Sequence, residues 1–205
     1  LAVQRASLEA MQDGVYPLRA KNLQPVLEQN ILLTRMVDDL RLLALADAGE
    51  LRLEKVDTDL GSLVGRVVKS FQSQADQRKV RINYLPVEGL ILLIDPIRVE
   101  QMITNIISNA LRFTPEGGSI GVQATRLEKA LSLSIHDSGP GIPDESLPYV
   151  FDRFYRTDKG RVREDGGSGL GLAIARQLAR AQNGDITVRN HPQGGAEFTI
   201  TFNIK

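Results

Sequence analysis

The sequence predicts an α+β fold, in which a helical hairpin precedes a two-layer domain with helices on one face of a mostly antiparallel sheet. Two observations support this prediction. Residues 1–50 repeat their apolar side chains at helical spacing, whereas residues 51–205 change between strand and helix patterns in the order β-α-β-β-α-β-β-α-β-β. We therefore predict two domains, residues 1–50 and residues 51–205.

The N-terminal region contains two predicted helices. The first covers about residues 1–13 and ends at Gly14, and the second covers about residues 23–47. Apolar side chains of the second helix recur at alternating spacings of three and four, which indicates a coiled-coil seam. Helices with so wide an apolar face cannot cover themselves, so we expect the hairpin to pair with a second copy in a four-helix bundle. Asn30 lies on the seam, where it could fix the register or simply face solvent.

Seven strands are predicted in the second domain, either from alternating apolar and polar residues or from short apolar runs. The run Leu90–Ile94 is apolar throughout and is predicted to be a buried strand. The fourth and fifth strands form a predicted hairpin. The strands cover about residues 51–56, 80–85, 90–94, 119–126, 130–136, 185–189 and 196–204.

Three helices are predicted between these strands. Asp59 or Ser62 can cap the first helix. Asp95 and Pro96 suit the N-cap and the first residue of the second helix. The helices cover about residues 59–76, 96–113 and 169–182, with a short helix at 144–154 and a mobile polar loop at 156–168 before the third.

The composition excludes several classes of protein. With 42% hydrophobic and 24% charged residues, the chain has the composition of a soluble globular protein. Its formal net charge is zero, so nothing draws it generally to nucleic acid or to an anionic membrane. The absence of cysteine excludes a disulfide scaffold and thiolate metal sites. The apolar runs are too short to span a bilayer, so we expect no direct membrane contact in this fragment.

The helix predicted at 96–113 has an unusual polar face. Its isoleucines share one face, as in a core helix, whereas Asn105, Asn109 and Arg112 crowd the opposite arc. Asparagine is a mediocre helix former. Two asparagines one turn apart place two carbonyl oxygens side by side, which can hold a small divalent cation together with phosphate. A solvated polar face explains the same residues, so this helix alone does not distinguish a cation-binding site from an ordinary exposed surface.

A first glycine-containing turn follows the fifth strand, with the sequence Asp137-Ser138-Gly139-Pro140-Gly141-Ile142. Its glycines allow the backbone to approach a ligand closely. The carboxylate of Asp137 could accept a hydrogen bond from an exocyclic amine such as that of adenine. A tight turn closed by a bond to the Asp side chain is the alternative interpretation.

A second glycine-rich segment, Gly166-Gly167-Ser168-Gly169-Leu170-Gly171-Leu172, leads into the third predicted helix. Successive glycine N–H groups and the partial positive charge of a helix N-terminus favour phosphate as the ligand. Neither the P-loop pattern nor the G-x-G-x-x-G dinucleotide pattern is present. The segment therefore predicts a phosphate site of another kind.

These three features, with Phe151-Asp152-Arg153-Phe154-Tyr155-Arg156 between the two glycine segments, resemble bacterial sensor histidine kinases. The resemblance covers essentially the whole chain. Residues 51–205 resemble the catalytic ATP-binding domain, whose two-layer sandwich is shared with gyrase, Hsp90 and MutL ATPases. Residues 1–50 resemble the dimerisation and histidine-phosphotransfer domain. The phenylalanine-rich segment distinguishes histidine kinases within that superfamily.

The resemblance implies ATP and Mg²⁺ as cofactors. Asn109 would coordinate the Mg²⁺ that bridges the phosphates, with Asn105 beside them and Arg112 supplying a cation. Asp137 would bind the adenine amine. Arg153 would reach the γ-phosphate or pair with the helical hairpin during transfer, and is counted as catalytic together with the two asparagines. The other implied nucleotide-binding residues are Gly139, Gly141, Ile142, Phe154, Gly167, Gly169, Leu170 and Gly171.

The phosphoacceptor is expected outside the sequence. The segment of the family that carries it reads His-Glu-Leu-Arg-Thr-Pro-Leu, and Leu1-Ala2-Val3 fits as its continuation. The resemblance therefore implies transfer of the ATP γ-phosphoryl group to a histidine that precedes Leu1, and from there to an aspartate of a response regulator. It also implies a homodimer through residues 1–50 and a cytoplasmic location, with the intact protein anchored in the bacterial inner membrane.

Two alternative functions remain open at this point. One is an ATP-hydrolysing conformational switch of the gyrase and MutL type, which would need a glutamate to activate water. Glu100 is the only glutamate of the asparagine helix, and it lies about 140° from Asn105 on the helical wheel. The other is a nucleotide-sensing dimerisation module with mainly phosphatase activity.

Overall fold

The structure, a computed structural model, describes residues 9–15, 17, 19–87, 89–156 and 168–204. Its contacts divide the chain into two compact units, residues 1–44 and residues 45–205. Among the described residues, none of the helices combines the length and the apolar character that crossing a bilayer would require.

The first unit is helical where it is described. Residues 9–12 are helical, and α1 runs from Ala20 to Asp47, so that its last residues belong to the second unit. Asn30 is exposed, and its carbonyl accepts a hydrogen bond from the Thr34 hydroxyl at 3.0 Å. Large apolar side chains of the helix are also exposed in the single chain, namely Leu27, Ile31, Leu32, Val37 and Leu40.

The described part of the second unit contains three helices besides the end of α1. Helix α2 is Leu60–Gln77, and the Asp59 carboxylate caps it by accepting from the Ser62 N–H at 2.7 Å. Helix α3 is Pro96–Phe113, and helix α4 is Gly171–Ala181. The predicted helix at 144–154 is wrong, because only Leu147–Tyr149 forms a 3-10 turn there.

Asp95 caps α3, as predicted, and does more than a cap requires. Its Oδ1 accepts from the N–H groups of Ile97 and Arg98, each at 3.1 Å, while Oδ2 accepts from the Glu54 N–H at 3.0 Å. Its own N–H donates to Oε1 of Gln182, just beyond α4, at 2.7 Å. The buried Asp95 thus joins the start of α3, the segment that precedes β1 and the end of α4.

The strands form two sheets. Strands β1 (Val56–Asp59) and β3 (Ile91–Ile94) pair as a two-stranded antiparallel sheet. The other five strands pair in the order β2-β4-β5-β7-β6, with β2 parallel to β4 and all other pairs antiparallel. Their bounds are Arg81–Tyr84 for β2, Ser119–Arg126 for β4, Ala130–Asp137 for β5, Gly184–Asn190 for β6 and Ala196–Asn203 for β7.

Two strand predictions are corrected by this arrangement. The first strand lies at Val56–Asp59 instead of 51–56, because the Glu54 N–H is bound by the Asp95 side chain and not by a neighbouring strand. The third strand is not buried throughout. Ile91 and Leu93 are 58% and 64% exposed, since the two-stranded sheet has one open face.

The core lies between the three helices α2, α3 and α4 and one face of the five-stranded sheet. Inward residues of neighbouring strands stand opposite each other, as Leu133 does with Ile200 and Ile135 with Phe198. All four are buried, and each such side chain stabilises the fold by about 1.5–3 kcal/mol. Side chains alternate between the two faces of a strand, so Asp137, two residues after Ile135, lies on the same buried face at the end of β5.

The Asp95 cap generates a first prediction. Replacing Asp95 with alanine (Asp95→Ala) should lower the free energy of unfolding by about 2–3 kcal/mol, because one cap and a further, part-buried N–H lose their acceptor together. Urea unfolding followed by circular dichroism measures the loss. Asp59→Ala, which removes an exposed cap with one bond, is the matched control and should cost clearly less. Equal losses in the two variants would contradict the joining role of Asp95.

A second prediction concerns the ion pair between α4 and β6. Arg176 Nε and Nη2 donate to Oδ1 and Oδ2 of Asp185 at 2.9 and 3.1 Å, and this pairing lowers the pKa of Asp185 to about 2. A lowered pKa stabilises the fold above about pH 4, and the stabilisation is lost as the pH falls through 2. Asp185→Asn should therefore cost about 1 kcal/mol at pH 7, a value reduced for the partial exposure of the pair, and the difference from wild type should shrink toward pH 2.

Urea unfolding at pH 7, 4 and 3 tests this dependence. Glu116→Gln is the control, since Glu116 pairs with Lys79 at 2.5 Å but both side chains are about 70% exposed. It should change stability little at any pH. A cost for Asp185→Asn that stays constant from pH 7 to pH 3 would refute the ionic origin of the effect.

Candidate nucleotide-binding site

Helix α3 and the start of α4 meet through a side chain. Asn105 is half-buried, and its Nδ2 donates to the Gly171 carbonyl at 3.0 Å. A Cβ at position 171 would lie 3.6 Å from Cγ of Asn105, so the two residues are in van der Waals contact. The polar face of α3 and the glycine-rich segment, which lie 66 residues apart in sequence, are therefore neighbours in the fold.

Asn109 lies one turn further along α3 on the same face and is also half-buried. Arg112 completes this face, and its guanidinium carbon lies 5.4 Å from the centroid of the Phe113 ring. The buried isoleucines of α3 hold the opposite face in the core and so orient the three polar side chains together.

The start of α4 combines a buried apolar residue, Leu170, with a glycine that has a positive φ angle, Gly169. Leu170 is the N-cap residue and is fully buried, and its N–H donates to the Ser168 hydroxyl at 3.3 Å. Gly169 has φ +72°, a conformation that ends the helix on its N-terminal side and explains why α4 begins at Gly171 instead of at 169 as predicted. Gly167 lies outside the described residues.

The phenylalanine-rich segment contacts this glycine segment through the backbone. The Phe154 N–H donates to the Gly169 carbonyl at 3.0 Å, and a Cβ on Gly169 would come within 2.9 Å of the Phe154 backbone. Phe154 itself has φ +62°, which is uncommon for a residue other than glycine. Strained conformations of this kind cluster at functional sites. Phe151 is placed differently, edge-on to Phe198 with ring centroids 6.3 Å apart.

Arg153 lies against Asp47, the last residue of α1. The Arg153 guanidinium forms an ion pair with Oδ2 of Asp47, and Gln177 Nε2 donates to Oδ1 of the same carboxylate at 3.0 Å. Sequence analysis missed Asp47 and Gln177. A charged residue at the end of an exposed helix gives no local signal of a partner that lies 106 residues further along the chain.

Asp137, at the end of β5, is buried. Its Oδ1 accepts from the Gly139 N–H at 2.8 Å and from the Ala196 N–H at 3.4 Å. Burial raises the pKa of Asp137, and these two hydrogen bonds oppose the increase. The turn closed by an Asp side chain, which was the alternative interpretation, is thus present. Both bonds use Oδ1, so among the described residues Oδ2 has no hydrogen-bond donor of its own.

The loop after Asp137 follows a close path that needs its glycines. A Cβ at Gly139 would lie 2.7 Å from the Asp137 carboxylate and 2.8 Å from the Phe113 carbonyl. Gly141 has φ +73°, and a Cβ there would lie 2.8 Å from Oδ1 of Asn190. Ile142 follows and is half-buried. The loop therefore lies against the end of α3 on one side and the end of β6 on the other.

The predicted site residues thus form two described groups. One group joins α3, the phenylalanine-rich segment and the start of α4, and the other joins the end of β5 to the loop that follows it. No described residues form a cluster of three or more histidine, cysteine, aspartate or glutamate side chains that could hold a metal.

Comparison with known families identifies the domain that carries these groups. Residues 94–205 match the family described as histidine kinase-, DNA gyrase B-, and HSP90-like ATPase. The matched region contains every site residue that the sequence predicted.

A curated relative extends the similarity to the whole chain. The signal transduction histidine-protein kinase BaeS of Escherichia coli K12 is 36% identical over 205 residues, which are 100% of this chain and 44% of BaeS. The chain therefore spans less than half the length of that relative.

Two solved structures share the fold. The histidine kinase AdeS of Acinetobacter baumannii has a TM-score of 0.83 at 27% identity, over 100% of this chain and 94% of the AdeS chain. Full-length ShkA in complex with AMPPNP has a TM-score of 0.76 at 26% identity, over 93% of this chain and 41% of the ShkA chain. These matches confirm the predicted two-layer fold of the ATPase type. The chain belongs to the histidine kinase-, DNA gyrase B- and HSP90-like ATPase family, and within it to the sensor histidine kinases.

Proposed function

We propose that this chain is the ATP-binding kinase core of a two-component sensor histidine kinase. It would transfer the γ-phosphoryl group of ATP to a histidine that precedes Leu1, and the phosphoryl group would pass from there to an aspartate of a response regulator. The observation that supports the proposal best is the hydrogen bond from Asn105 to the Gly171 carbonyl. It places the amide side chains of α3, which suit a cation, next to the N-terminus of α4, which suits a phosphate.

The phosphate end of the site would lie between α3 and α4. Asn109 would hold Mg²⁺ through its amide oxygen, and Asn105 and Arg112 would lie beside the phosphates. The first N–H groups of α4 add partial positive charge. The metal, when bound, would neutralise charge on the phosphates. The residues present fit this role, since two half-buried amides one turn apart adjoin a helix N-terminus.

The adenine end would lie at the end of β5. Asp137 would accept a hydrogen bond from the adenine amine through Oδ2, while Gly139 and the Ala196 N–H keep Oδ1 occupied. Gly141 and Ile142 would line the base. The AMPPNP complex of ShkA, a structure of the same fold, supports an adenine nucleotide as the ligand.

Arg153 is a candidate for contact with the γ-phosphate. Its partner Asp47, the last residue of α1, belongs to the same compact unit. To reach the γ-phosphate, Arg153 would exchange this carboxylate for a phosphate, and a guanidinium pairs with both. Pairing with the helical hairpin during transfer is the second role proposed for Arg153.

Homodimerisation through residues 1–50 is a further part of the proposal. The exposed apolar side chains of α1, such as Leu27, Ile31 and Val37, support it because a second copy would cover them. The proposed partner in signalling is the receiver domain of a response regulator, and the proposed location is the cytoplasm, with the intact protein anchored in the inner membrane. An ATP-driven switch is not favoured, since Glu100 is exposed and the named relatives are sensor kinases.

Removal of the proposed metal ligand tests the kinase. Asn109→Ala and Asn109→Asp should lower autophosphorylation by about hundredfold or more in the chain extended upstream through its acceptor histidine, because charge on the transferred phosphoryl group is no longer neutralised. Incorporation of radiolabelled phosphate from ATP with Mg²⁺ measures the rate. Ser108→Ala, which changes the exposed neighbour on the same helix, is the control and should be nearly as active as wild type. Undiminished activity of both Asn109 variants would refute the assignment.

Base recognition gives a separate prediction. Asp137→Asn should weaken ATP binding by at least about tenfold, since the amide presents a donor where the adenine amine needs an acceptor. The affinity for inosine triphosphate, whose base lacks that amine, should fall much less. Calorimetric titration of both nucleotides measures the two affinities, and an equal loss for both would show that Asp137 does not bind the adenine amine.

A further inference from the structure

The hairpin between β6 and β7 contacts both ends of the loop that follows β5. At the first end, a Cβ on Gly195 would lie only 1.7 Å from the Asp137 carbonyl oxygen, and the Ala196 N–H donates to the Asp137 carboxylate. At the other end, the side chain of Asn190 meets Ile142. The hairpin is therefore a support for the whole loop.

Asn190 contacts Ile142 through two hydrogen bonds. The Ile142 N–H donates to Oδ1 of Asn190 at 2.8 Å, and Nδ2 of Asn190 donates to the Ile142 carbonyl at 2.7 Å. Nδ2 also lies 3.4 Å from Oδ1 of Asp144. One carboxamide thus satisfies both backbone groups of a residue 48 positions away, as a neighbouring strand would. The left-handed Gly141 leaves room for it.

The hairpin itself is held against β5 by the pairing of β7 with β5 and by contacts of two histidines. Nε2 of His136, the residue before Asp137, lies 2.9 Å from the Gly194 carbonyl oxygen. The rings of His136 and His191 have centroids 3.9 Å apart. Asn190 therefore extends from a hairpin that is already held against β5, and its carboxamide has a defined place relative to Asp137.

We propose that Asn190 is a positioning residue for base recognition. It holds Gly141 and Ile142 at a fixed distance from the Asp137 carboxylate, so that the base meets a preformed slot and little ordering of the loop is needed on binding. This proposal rests on the nucleotide-binding function proposed above. The phosphate end is held by Asn105 and Gly171, which belong to other elements, so Asn190 acts on the base alone.

The test compares two nucleotides that differ only in the base. Asn190→Ala should weaken ATP binding by about tenfold, the effect expected from loss of two partly exposed hydrogen bonds, and should weaken inosine triphosphate binding by no more than about twofold. Calorimetric titration of this chain with each nucleotide and Mg²⁺ gives both affinities. A general loss of folded protein would lower the two affinities equally, so an unchanged preference for ATP would overturn the positioning role.

Asn203→Ala is the matched control. Asn203 is also exposed, lies at the far end of β7, and donates through Nδ2 to the Asn183 carbonyl at 2.8 Å. Its loss should leave both affinities near the wild-type values. If Asn203→Ala lowered the preference for ATP as much as Asn190→Ala does, the effect would not be specific to the loop and the proposal would fail.

Asn190→Asp is a second variant of nearly the same shape. It keeps the acceptor for the Ile142 N–H but places an oxygen against the Ile142 carbonyl and near Asp144, so the preference for ATP should fall at least as far as in Asn190→Ala. Wild-type preference in this variant would overturn the role of the second hydrogen bond. Failure of wild type to bind ATP at all would instead refute the proposed function, and the two failures are therefore distinguishable.

Discussion

One buried carboxylate at the start of α3 joins three separate segments of the domain on which the site is built. Asp95 accepts three backbone N–H groups, from Ile97, Arg98 and Glu54, and its own N–H reaches Gln182 beyond the end of α4. A helix start is rich in unpaired N–H groups, and a carboxylate satisfies them while complementing the helix dipole. Because α3 carries the asparagines and α4 begins at the glycine segment, this joint holds together the two helices at the ends that lie away from the surfaces that would face the phosphates.

The two ends of the site are supported by different parts of the fold. The contact of Asn105 with Gly171 lies between helices, whereas Asp137 and its loop are held by the hairpin of an edge strand. The helices are fixed by a continuous apolar core, whereas the loop is fixed by a few polar contacts, which are buried at Asp137 and exposed at Ile142. Polar contacts at a surface are individually weak. Substitutions can therefore change selectivity for the base without disturbing the elements that would bind phosphate.

Much of this arrangement is local and could be predicted from the sequence. Both caps, the order of the elements and the family resemblance follow from short patterns around Asp59, Asp95 and the glycine segments. The errors in strand position and burial arise where a contact with a distant residue determines the local structure. The Glu54 N–H donates to the Asp95 side chain, so residue 54 is not part of a strand. Among the described residues β3 pairs only with β1, and Leu93 faces solvent. The pairing of Arg153 with Asp47 has the same origin, because periodicity and turn residues carry no information on contacts between distant segments.

The contact between Phe154 and Gly169 has a consequence for how this region can vary. The two residues are joined by a backbone hydrogen bond of 3.0 Å, so positions 154 and 169 are held together although 15 positions separate them in the sequence. When the ends of a segment are already held together, doubling its length costs only about 0.6 kcal/mol of closure entropy. The contact between Phe154 and Gly169 therefore depends only weakly on the number of residues between the two positions.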